Sequence, residues 1–88
     1  MAIRSTLDVL GEDKPITVIV EPWADEFVVH PGERCAVVAI HPSAAPTFSV
    51  AIVRGQLVVW VNEGGTTFEF LRDGKVDYAT DNVVPPTP

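Results

Sequence analysis

Few residues in this chain are equipped for chemistry: two histidines, His30 and His41, one cysteine, Cys35, and the run Glu21-Pro22-Trp23-Ala24-Asp25-Glu26. His30, Cys35 and His41 are side-chain types that bind zinc or copper. Their spacing works against a shared ion. Cys35 and His41 lie on what reads as a single strand, which sets them about 20 Å apart at about 3.3 Å per residue. His30 and Cys35 could meet only across a tight turn, and two ligands do not close a site. No metal and no cofactor are therefore expected. Cys35, mid-strand among apolar residues, should be a buried, inert thiol, with the imidazoles at strand ends in solvent.

Trp23, Asp25 and Glu26 form a candidate ligand-binding group, because an indole can stack on a sugar face while neighbouring carboxylates accept its hydroxyls. Glycoside hydrolysis would need two carboxyl groups facing across a cleft, which a chain of 88 residues has little room to enclose. The competing reading tucks Trp23 under its loop as a plug for one end of the domain. Ser5, Ser43 and Ser49 lack a glycine-framed nucleophile elbow. Glu63-Gly64-Gly65-Thr66-Thr67 lacks the lysine of a phosphate-binding loop and reads as a turn. No catalytic residue is assigned, and an enzyme is not expected.

These side chains must be held by a single small domain. Hydrophobic residues make up 47% of the chain, which suits a globular fold rather than disorder. Twelve acidic residues against six basic ones give a net charge of −6. The basic residues are scattered, so neither nucleic acid nor an anionic membrane surface is an expected partner. No apolar run approaches the roughly 20 residues of a membrane span, and Arg4 and Asp8 interrupt the start, unlike a signal peptide. With one cysteine and no internal disulfide, the expected location is the cytoplasm.

Seven strands follow from β-branched runs bounded by turn residues: 16–20, 27–29, 34–40, 47–53, 56–61, 66–71 and 75–78. Residues 3–10 suit either a helix turn or a strand. The expected organisation is an N-terminal segment, 1–14, packed on a β-domain, 15–80, followed by a flexible proline-rich tail, 81–88. The expected fold is an all-β, small antiparallel β-sandwich of six or seven strands. His30-Pro31-Gly32-Glu33 has the residues of a type II turn and offers a crossing from one sheet to the other. A proline-glycine corner leading into a strand, covering residues 27–40, is similar to that of many immunoglobulin-like and cupredoxin-like sandwiches. That resemblance implies a shape and no activity. Cupredoxin copper sites also use a methionine, and the only one here is Met1.

Two hairpins can be registered by requiring a clean apolar face. A two-residue loop at Arg54-Gly55 gathers Phe48, Val50, Ile52, Leu57, Val59 and Val61 on one face, the expected centre of the core. It sets Ser49 opposite Trp60 and Ala51 opposite Val58 on the other. For Arg72-Asp73-Gly74 a three-residue loop is expected, pairing Phe70 with Val76, Phe68 with Tyr78 and Glu69 with Asp77. Several strands carry apolar residues on both faces, whereas a two-sheet sandwich buries only one. Either residues 2–10 cover the second face through Ile3, Leu7 and Leu10, or another chain does. The candidate interaction face is therefore Ala51, Val58 and Trp60. The function expected is a non-catalytic protein interaction or structural module, its partner a protein or a second copy in a homodimer. The alternative is a carbohydrate or small-ligand binding domain around Trp23 and Trp60.

Overall fold

The strand runs read from the sequence, together with the ambiguous N-terminal segment, become eight strands in the computed structural model, which describes residues 1–86. They are β1 (Ile3–Leu10), β2 (Ile16–Glu21), β3 (Asp25–Val29), β4 (Arg34–His41), β5 (Phe48–Val53), β6 (Gln56–Val61), β7 (Thr67–Arg72) and β8 (Lys75–Ala79). Two four-stranded sheets face each other: sheet I in the order β1-β4-β7-β8, sheet II in the order β3-β2-β6-β5. The fold is an all-β sandwich. The count is eight because residues 3–10 take the strand option and pair antiparallel with β4, Ile3 with His41 through Leu10 with Arg34. The pairing is also not wholly antiparallel, since β2 runs parallel to β6. Among the described residues no helix is long and apolar enough to cross a membrane.

Val18, Val20, Val29, Val37, Val59, Phe68 and Phe70 are fully buried, and alternation along each strand puts them on the facing sides of the two sheets. Phe27 stacks on Phe70 at 4.1 Å and meets Phe68 edge-on at 6.2 Å, locking β3 over β7. The heavy packing is thus at the β3–β7–β8 side. The expected core centre is corrected accordingly. Val59 and Val61 belong to it, but Val50 is 51% and Ile52 75% exposed. The hairpin register is as derived, Phe48 with Val61 through Val53 with Gln56. The burial differs because β5 is the last strand of sheet II. At that edge Val50 and Ile52 stand open to solvent, while Phe48, like Leu57 of β6, is half-buried against the core.

Turn chemistry accounts for the connections. Gly32 takes φ 82 and Glu33 N donates to His30 O at 3.1 Å, so the Pro31-Gly32 turn forms and carries the chain from sheet II to sheet I. Arg54 and Gly55 both adopt positive φ, 52 and 77, as a two-residue hairpin loop demands. The second hairpin is corrected. Asp73 and Gly74, φ 51 and 81, make a two-residue loop between Arg72 and Lys75. An irregularity at Phe70/Leu71 then shifts the register, pairing Leu71 with Val76 and Phe70 with Tyr78. An Asp-Gly pair that accepts two positive φ values favours this loop over the longer one, and a bulge restores the aromatic face. Where a frayed tail was the expectation, Val84 N donates to Thr66 O at 2.8 Å and Gly65 N donates to Val84 O at 2.9 Å. Thr87 and Pro88, the last residues of that expected tail, lie outside the described residues.

Candidate interaction surface

Of the three metal-ligand candidates, His30 is exposed just after β3, Cys35 is buried near the start of β4, and His41 ends β4. His41 is committed elsewhere: its Nδ1 accepts from the Ser43 and Ala44 amides at 3.0 and 2.8 Å. The hydrogen therefore sits on Nε2, which donates to Gly64 O at 3.0 Å. This imidazole ties the turn after β4 to the turn after β6. Among the described residues no three His, Cys, Asp or Glu side chains gather as a metal site would need.

Cys35 is buried and lies 3.9 Å from Arg72 Nη1. Burial raises its pKa above the ordinary 9.0, the Arg72 cation opposes that, and the charges of Glu33, Asp73 and Asp77 add to it. Arg72 is the residue that sequence reading missed. Its guanidinium holds Glu33 at 2.7 Å, Asp77 at 3.5 Å and the Val28 carbonyl at 2.9 Å, with the Phe70 ring 5.5 Å away. It ties the Glu33 turn and β3 to β7 and β8. Asp77 reaches Arg72 across the β7–β8 hairpin, Cys35 stands opposite it on β4 of the same sheet, and Val28 comes from the other sheet, a gathering that depends on strand order. The expected pairing of Glu69 with Asp77 does not form, because the shifted register sets Glu69 opposite Ala79; Asp77 turns to Arg72 and Glu69 pairs with Arg4 at 3.2 Å.

The Trp23 group is also taken apart. Trp23 is half-buried, its ring 4.5 Å from Phe68, and its indole N–H donates to Asn82 O at 2.9 Å. Asp25 and Glu26 are consecutive in β3, so their side chains leave opposite faces of the sheet. Trp60 projects from the outer face of sheet II, whereas Trp23 packs against the core. The two tryptophans do not share a site.

Ala51, Val58 and Trp60, by contrast, come together. The rows Ala51–Val58–Ile19–Glu26 and Ser49–Trp60–Glu21 run across the outer face of sheet II. Ala51 and Val58 lie between Val53, 48% exposed beside the hairpin loop, and Trp60, 45% exposed towards the other end, with carboxylates along the β2–β3 side. Residues 2–10 do not cover it, because β1 belongs to the other sheet. Trp60 also borders a shallow cleft of about 380 Å³ with Pro22, Asn62, Glu63 and Val84. Comparisons with protein-family models, curated proteins and solved structures find no match for this chain.

Proposed function

We propose that the protein is a non-catalytic interaction module, at work in the cytoplasm, whose working surface is the β5–β6 hairpin and whose partner is a protein, a second copy of itself included. The observation that carries this reading is the open apolar face of Ala51, Val58 and Trp60, rimmed by Glu21 and Glu26. Soluble domains rarely leave an indole and several aliphatic side chains contiguous on one exposed sheet face unless something docks there, and an aromatic at the centre of such a face is a frequent energetic anchor. The immunoglobulin-like or cupredoxin-like outline suits this role, since such sandwiches present flat sheet faces.

Light scattering of wild type and Trp60→Lys across the micromolar range tests it. A mass that rises above 9.5 kDa with concentration, and rises less in the variant, is expected. A mass fixed at 9.5 kDa, with hydrogen exchange of β6 independent of concentration, removes the self-associating form. One observation favours a second reading, small-ligand binding: the cleft beside Trp60, with Asn62 and Glu63 on its wall. Titration with an oligosaccharide panel would then shift tryptophan emission in wild type and leave it unchanged in Trp60→Ala.

A further inference from the structure

The sheets end in four edge strands, β1, β8, β3 and β5. An edge presents unpaired amides and carbonyls, and proteins guard such rows with charged side chains. Three edges here are guarded: β1 by Arg4 and Asp8, β3 by Asp25 and Glu26, β8 by Lys75 and Asp77. β5, Phe48-Ser49-Val50-Ala51-Ile52-Val53, carries no charge at all. In a chain of net charge −6 this is the one edge on which a second copy meets no fixed charge within the strand.

The hydrogen-bond parity of β5 follows from its turn. A two-residue loop makes the flanking Val53 and Gln56 a hydrogen-bonded pair, so alternate residues back from Val53 turn their amides and carbonyls to β6. Asn62 N donating to Thr47 O at 2.9 Å carries the same parity to the far end. The peptide groups of Phe48, Val50 and Ile52 therefore face away from the sheet. Their side chains share the inner face, where Val50 and Ile52 are the exposed positions. Val50 and Ile52 thus hold both free backbone groups and uncovered apolar surface, while Phe48 adds its backbone groups from a half-buried position.

The geometry points to antiparallel pairing of β5 with β5 of a second copy, about a two-fold axis perpendicular to the sheet and midway between the two Val50 residues. It rests on the reading above that this hairpin associates, and adds the occupant and the register. Such an axis keeps both inner faces on one side, so only residues of the same parity oppose each other. Centred on Val50, it sets Val50 against Val50, Phe48 against Ile52 and Ser49 against Ala51 of the second copy. Every free peptide group of β5 is then used, in reciprocal pairs exchanging N–H···O bonds both ways. Centring on Ala51 would set Phe48 against Arg54, a turn residue at φ 52. Centring on Ser49 would set Ile52 against Pro46, which has no N–H to give. Only the Val50 register matches all three residues. The product is a continuous sheet through both copies, with Val50, Ile52 and Phe48 packed across the axis.

The test combines solution mass with a register-specific cross-link on the full chain. Ile52→Lys puts a charge on each side of the axis at an exposed position, so the fold, read by circular dichroism and melting, should stay while the dimer dissociation constant rises about tenfold or more. Under mild oxidation Val50→Cys should form a disulfide-linked dimer, because hydrogen-bonded antiparallel partners stand about 5.5 Å apart at Cα, within disulfide reach. Val53→Cys, equally exposed, lies some 20 Å from its counterpart in this register and should not. Cys35 is buried and stays out of the reaction. A wild type fixed at monomer mass overturns both the self-association and this interface. A dimer that survives Ile52→Lys, gives no Val50 cross-link and is lost in Trp60→Lys leaves the hairpin face standing and overturns the edge pairing.

Discussion

Cys35 illustrates how much a side chain's chemistry depends on its surroundings. It sits on the inner face of β4, buried, with Arg72 beside it and acidic groups just beyond. Burial is the largest influence and keeps the thiol protonated past its usual range. Thiol reagents at neutral pH should therefore label the native protein slowly and the denatured protein fast; rapid native labelling contradicts this burial. The same shift has a consequence for stability. Above pH 9.0 the unfolded chain gives up the thiol proton while the folded chain retains it. The folded form thus loses ground as pH rises, and the stabilisation present below that value disappears as pH passes the folded pKa. Denaturant melts of wild type and Cys35→Ala between pH 7 and 10 should show a steeper alkaline decline in wild type. Equal slopes would mean that the thiol is as free to ionise in the fold as out of it.

At the scale of elements, the β5–β6 hairpin separates register from burial. Its pairing is legible in the residues, because only a two-residue loop at Arg54-Gly55 sorts the apolar side chains to one face. Which of them lie in the core is not, since that depends on what stands opposite. Val59 in β6 is fully buried, whereas its cross-strand partner Val50 and the neighbouring Ile52 are open at the edge. Val59→Ala should therefore cost about 2 kcal/mol, from lost burial and the cavity left behind. Ile52→Ala should cost under about 0.5 kcal/mol in monomer stability, as at other exposed positions. Chemical denaturation of both variants checks the contrast. A large loss at Ile52 would require a strand of sheet I to reach across and cover β5. The Asp73-Gly74 hairpin shows the converse: its loop is set by local conformational preference, and the bulge that follows answers to the aromatic packing of Phe70 and Tyr78 on Phe27.

For the whole molecule, the charge balance decides how association responds to solution conditions. Two copies of net charge −6 repel at long range, while the proposed contact is apolar and backbone-mediated. Adding salt, from about 10 mM to 150 mM, shortens the screening length from about 30 Å to about 8 Å. The dimer should tighten over that range, as sedimentation across the salt series would measure; a dimer that weakens with salt would point to ion pairs at the interface instead. Within the chain itself, the strands and most turns were readable from residue types, because β-branched runs and the Pro31-Gly32 and Arg54-Gly55 corners act locally. Tertiary structure decided the rest. It turned residues 3–10 into a strand, since an ambiguous segment takes the state its neighbour β4 can pair. It gathered Glu33, Arg72 and Asp77 from separate strands and turns, and it engaged His41 with the backbone of two turns. It also left β5 at an edge. Strand order is a long-range property, and it alone determines which apolar residues are core and which are surface.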